Sequence, residues 1–196
     1  MFTTMGHTRA RYFGPEVGGI IFNSPLNTSV FRIDHDQAFQ QTTIFRYQRP
    51  HDGPWMNFTW RYDSGLVNGS VPDIDTALGL TGAEQLAIGF FCGAQRPTLD
   101  MPITACASGG GATRLRIPRE GTENDDTNPP RVAPRHIFDL GLGTDNLFRS
   151  EKKPVTARFT VLNLTNKVAL YNFLSTFSGT HFVAPRTYQA SIGFVF

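Results

Sequence analysis

The segment from Met56 to Asp63 constrains this chain most. There Met56, Phe58, Trp60 and Tyr62 alternate with Asn57, Thr59, Arg61 and Asp63. Successive side chains of a strand point to opposite faces, so this run predicts a strand with one apolar face and one polar face. Four other segments carry the same period with blemishes. Phe39, Thr43, Phe45 and Tyr47 oppose Gln40, Thr42, Arg46 and Gln48, with Ile44 out of pattern. His136, Phe138, Leu140, Leu142 and Phe148 oppose Asp139, Gly141, Gly143 and Asp145, with Ile137 and Leu147 out of pattern. Val155, Ala157, Phe159 and Val161 oppose Thr156, Arg158 and Thr160, although Leu162 and Leu164 blur the end. Tyr188, Ala190, Ile192, Phe194 and Phe196 oppose Thr187, Gln189, Ser191 and Gly193, and Val195 alone breaks the rule. Each segment runs about 8 to 13 residues, beyond the usual five or six of a globular strand and near the 9 to 11 that cross a bilayer at a tilt.

Composition supports strands over helices. Charged residues are 17% of the 196, and 17 Phe, 5 Tyr and 2 Trp stand beside 19 Gly and 13 Pro. Aromatic residues favour pleated surfaces, and Gly and Pro favour turns. Positive charge comes almost wholly from Arg, because Lys152, Lys153 and Lys167 are the only lysines, and no basic run exceeds two residues. That leaves little support for a nucleic-acid groove. No run approaches the roughly 18 to 20 apolar residues of a membrane-crossing helix, and no export signal is visible after Met1.

The connections alternate between short and long. Arg49 to Pro54 and Ser150 to Pro154 are tight, polar turns, whereas loops run from about Ser64 to Ala133 and from about Asn166 to Arg186. The longer loop counts against a compact soluble domain. In an outer-membrane barrel it is expected, since periplasmic turns are short and external loops long, and a last strand ending at the periplasmic side gives every connection one orientation. Within that loop, Thr81 and Glu84 have capping-box spacing and predict a short helix. Cys92 and Cys106 are expected to pair, closing a ring of about 15 residues worth roughly 3 kcal/mol in the chain-entropy model. Gly109 to Gly111 and the polar stretch from Glu120 to Pro130 predict flexible loop without packing. Residues 1–36 predict another external loop with a weak strand candidate near Val17 to Phe22, followed by a barrel segment over 37–196.

Several runs carry a family resemblance. Asn163-Leu164-Thr165-Asn166-Lys167, then Ala169 to Phe182 with its Ser175-Thr176-Phe177-Ser178-Gly179-Thr180-His181 run, and Pro185-Arg186-Thr187 resemble the C-terminal end of TonB-dependent outer-membrane receptors. The similarity is strongest to the Oar-like branch. Asp34-His35-Asp36, Trp60 to Leu66 and Pro134 to Gly141 also look like that branch, so the resemblance covers about residues 30 to 196. Such receptors add a signal peptide, an energy-coupling box and a plug to about 22 strands. The resemblance therefore implies the C-terminal part of a receptor or a truncated product, placed in the bacterial outer membrane. Its partners would be lipid, the remainder of the barrel and plug, the barrel-assembly machinery and the TonB energy-coupling complex. It also implies that Phe196, with Phe194, Ile192, Ala190 and Tyr188, forms the signal read by that assembly machinery.

Other chemistry weighs less. Asp34, His35 and Asp36, and His51 with Asp52, could ligate a metal, but neighbours on a strand diverge and a site needs three or four convergent ligands, so loop polarity is the better expectation. Glu123, Asp125 and Asp126 lack the spacing and central Gly of a calcium loop. Gly141-Leu142-Gly143 lacks the third glycine of a dinucleotide fingerprint and predicts small lumen-facing residues. Cys92 as a nucleophile would need a base beside it, which neither His136 nor His181 supplies from sequence. Trp55, Trp60, Tyr62, Tyr47 and Tyr188 could stack on a sugar, but an interfacial girdle is the default. The alternation thus predicts an all-β, antiparallel meander of about five long strands with long external loops, and the resemblance implies that it is the C-terminal part of a transmembrane β-barrel that binds and imports a substrate without catalysis or a cofactor. Its runner-up is a soluble or secreted β-sandwich that binds carbohydrate.

Overall fold

The alternating segments assemble into one antiparallel sheet. The computed structural model describes residues 1–13, 30–33, 35–50, 53–68, 71, 73–107, 109–119, 121–122, 124, 126–149, 154–175 and 179–194. In chain order the elements are β1 (Phe2–Thr8), β2 (Arg11–Phe13), β3 (Val30–Arg32), β4 (Gln37–Gln48), β5 (Trp55–Asp63), α1 (Ile74–Leu78), α2 (Gly82–Ile88), β6 (Phe90–Cys92), β7 (Gly110–Ala112), β8 (Leu115–Arg116), β9 (Arg131–Val132), β10 (Arg135–Thr144), β11 (Val155–Leu162), β12 (Leu170–Ser175), β13 (Gly179–Phe182) and β14 (Thr187–Phe194). Six strands pair in the order β1-β4-β5-β10-β11-β14, and the sheet stays open with β1 and β14 as its edges.

The register makes each face continuous. Phe45 faces Phe58 across β4 and β5, Phe58 faces Leu140 across β5 and β10, Leu140 faces Val161, and Val161 faces Tyr188. Arg46, Asn57, Gly141, Thr160 and Gln189 make the corresponding row on the other side. One face is thus almost wholly apolar, and Tyr47, Met56, Leu142, Phe159, Tyr188, Ile192 and Phe194 on it are exposed. Rings run along it in contact: Phe45 with Phe58, Phe58 with Phe138 and Phe159 with Tyr188 have centroids 5.8 to 6.4 Å apart.

The hydrophobic core lies elsewhere. Val71, Ala77, Ile88, Phe90, Ile103, Leu115, Val132, Leu170 and Phe173 pack together, so the two long connections build a module with its own interior at one end of the sheet. Apolar burial drives this packing as it would in a small domain. Helix α2 starts as its sequence predicts: the Thr81 side chain accepts from the Glu84 N–H, and Glu84 Oε2 accepts the Thr81 N–H at 2.9 Å. Gly65 makes the first bend of the long connection at φ +93°, and a Cβ there would run into the Val132 carbonyl.

Three expectations need correction. Residues 1–36 are not only loop, because β1 adds a sixth strand to the predicted five by pairing with β4 from Phe2↔Ile44 to Thr8↔Gln37. Its threonines and Gly6 blur the alternation, and an edge strand needs only one ladder. The stretch after Cys106 is packed: β7 pairs with β6, β8 pairs with β9, and Leu115 and Val132 are buried. The second long connection likewise folds into the β12–β13 hairpin. The strand candidate at 17–22 lies outside the described residues.

Candidate functional site

The polar face is held by charge and amide pairs. Arg61 Nη2 on β5 contacts both carboxylate oxygens of Asp139 on β10, at 2.9 and 3.1 Å, and Asp139 Oδ1 also accepts the Asn163 N–H at 2.8 Å. Arg61 is exposed, so the pair orients more than it stabilises, with a value of about 0 to 1 kcal/mol. At the long-loop end Arg135 is buried. It pairs with Asp63 at 2.9 Å and donates to the Leu170 carbonyl at 2.8 Å, which ties the sheet to the module.

Asn163 organises the second long connection. At φ 50° it adopts the left-handed turn that Asn tolerates. Its Nδ2 donates to the Lys167 and Ala184 carbonyls at 3.0 and 2.9 Å, and its Oδ1 accepts the Lys167 N–H at 2.8 Å. Asn166 Oδ1 accepts the Arg186 N–H at 3.1 Å, so these two asparagines brace both ends of the hairpin.

Toward the short-turn end the polar face opens into a groove of about 420 Å³. Gly141 lies on its floor. Trp55 lies over Gly143, where a Cβ would strike its ring, and Trp55 Nε1 donates to Asp145 Oδ1 at 3.3 Å. The Arg158 guanidinium sits 5.3 Å from the Trp55 ring centroid, while Arg46 lines the groove from β4 and donates to Gln48 at 3.1 Å. Trp55 therefore belongs to the groove and not to the girdle. Parity with Met56 already places it on the polar face, and its position at the strand end obscured that. Trp60, Tyr62, Tyr47 and Tyr188 lie on the apolar face, where Trp60 Nε1 donates to His136 Nδ1 at 3.1 Å.

The remaining predicted positions fall as follows. Cys92 and Cys106 are joined with Cα atoms 5.6 Å apart, and no free cysteine remains to act as a nucleophile among the described residues. Tyr188, Ala190, Ile192 and Phe194 line the apolar face of edge strand β14, and Phe196 lies outside the described residues. So do Asp34, His51, Asp52, Glu123 and Asp125. Among the described residues no three His, Cys, Asp or Glu side chains gather as a metal site.

Asp36 is a buried ion and not loop polarity. Its carboxylate meets Arg131 at 2.5 Å and Arg32 at 2.7 Å and accepts the Ala10 N–H at 3.2 Å. Burial alone would raise its pKa, but the Arg131 and Arg32 hydrogen bonds, the Arg131 charge and the Ala10 N–H together hold it below the ordinary value of 3.8. Asp126 extends the network to Arg11 at 2.8 Å. No known protein family, characterised protein or solved structure matches this chain.

Proposed function

We propose that the chain is the C-terminal barrel portion of a TonB-dependent outer-membrane receptor that takes up a substrate from the cell surface. The observation that carries this reading is the apolar face, which continues across β4, β5, β10, β11 and β14 with no layer of the described residues packed on it, while the hydrophobic core sits in the loop module. A sandwich buries such a face against a second sheet, whereas a membrane strand leaves it to lipid. Strand lengths of 8 to 12 residues in β4, β5, β10, β11 and β14 bracket the membrane-crossing length. In this reading the polar face looks into the lumen, and the module built by the long connections meets the substrate first. Energy reaches such a receptor through its plug from the TonB complex, and the protein performs no covalent chemistry.

Fractionation tests the proposal. The protein should sediment with outer membranes and require detergent for release, and an epitope inserted between Leu99 and Met101, both exposed in the module, should be labelled on intact cells. A chain that is monodisperse in buffer without detergent would overturn the reading and favour the carbohydrate-binding sandwich.

A further inference from the structure

The polar face carries four arginines on its inner strands, and two of them are paired: Arg61 with Asp139 and Arg135 with Asp63. Arg46 and Arg158 have no carboxylate partner among the described residues, and both line the groove over Gly141. In register, Arg46 lies opposite Asn57, Asn57 opposite Gly141, and Gly143 opposite Arg158, so strands β5 and β10 separate the two guanidinium-bearing strands, with Gly141 leaving the space between them open. Two acids also line the groove among the described residues: Asp139 is paired with Arg61, and Asp145 accepts the Trp55 and Gln48 side-chain N–H groups. Asn57 adds an acceptor: its Oδ1 is buried and has no hydrogen-bond partner.

From these features we propose that the groove binds a small dianionic ligand carrying a hydroxyl group, with Arg46 and Arg158 each taking one carboxylate or phosphate and Asn57 Oδ1 accepting the hydroxyl proton. Guanidinium groups suit planar or tetrahedral oxyanions because their N–H donors match the oxygen spacing. A buried acceptor without a donor favours a ligand that supplies one and disfavours an analogue that does not. Trp55 closes one side as a rigid wall, fixed by Asp145 below and Arg158 above. The inference stands whether or not the apolar face meets lipid, because it uses only the opposite face.

The test uses the full chain carrying Trp60→Phe in detergent, with Trp55 fluorescence as the reporter and a buffer free of phosphate and carboxylates. L-malate and pyrophosphate should give saturable changes, succinate should bind more weakly than malate, and glucose should give none. Arg46→Gln and Arg158→Gln should each weaken malate by about tenfold or more, as expected for losing a charge-assisted hydrogen bond. Asn57→Leu should erase the difference between malate and succinate. Arg116→Gln, which removes a β8 arginine bonded to Asn128 in the module, should leave binding unchanged and controls for net charge. Retention of the Cys92–Cys106 bond and of protease resistance establishes that each variant is folded. The proposal is overturned if no saturable change appears up to about 10 mM, if the arginine variants bind like the parent, or if an acidic polypeptide binds where the small anions do not.

Discussion

Replacing Asp36 with Asn tests the account of the buried ion network. The substitution keeps the size of the side chain and an oxygen for the Ala10 N–H but removes the charge between Arg131 and Arg32, whose side chains are only 12% and 10% exposed. Breaking one partner out of a buried pair costs about 3 to 5 kcal/mol, because the remaining charges stay buried and uncompensated. At 1.36 kcal/mol per decade, the lower figure corresponds to a local opening about a hundredfold more frequent. The Val67 amide, which donates to the Asp36 carbonyl, reports that opening by hydrogen exchange. The sign with pH follows from the lowered carboxyl: its contribution is complete above the unfolded value of 3.8 and is lost as pH falls through the folded value. The parent should therefore lose Val67 protection on acidification below about pH 4 while Asp36→Asn stays nearly flat there. Equal exchange in the two proteins at neutral pH would refute the reasoning.

Other perturbations address the module. Gly65→Ala should cost about 2 kcal/mol or more, since it adds backbone strain to a clash with the Val132 carbonyl, and denaturant unfolding would detect it. Phe173→Ala empties a buried core site and should cost about 3 to 5 kcal/mol, read as faster exchange of the Arg114 amide bonded to Ile88. Reducing Cys92–Cys106 should destabilise the module by roughly 3 kcal/mol while leaving the sheet amides protected. Under the proposed receptor reading, deleting Phe196 should lower the protein's assembled level in the outer membrane, as measured by surface labelling.

Local rules made much of the sheet legible. From Met56 to Asp63 strand β5 has no residue out of period, and the Thr81 and Glu84 pair lies within one helical turn, so each could be read from neighbours in sequence. What failed depended on distant partners. Asp36 looked like loop polarity because Arg131 is far along the chain. Leu115 and Val132 sit in stretches rich in Gly and polar residues, and only the contacts with Phe90 and Leu170 make them core. Strand β1 has too few apolar residues to show a period. The groove was the reverse case: Arg46, Asn57, Gly141 and Arg158 were all on the predicted polar face, but the register that aligns them across strands is set by the fold.

The two tryptophans test the central claim directly, because they lie on the same strand at opposite parity, Trp55 on the polar face and Trp60 on the apolar one. Single-tryptophan proteins, made by Trp55→Phe or Trp60→Phe, would be reconstituted into bilayers of acyl-brominated lipid. The account predicts strong quenching of Trp60 by the brominated chains, and quenching of Trp55 by aqueous iodide but not by the lipid. Equal quenching of both, or a Trp60 reached only by iodide, would contradict a lipid-facing sheet.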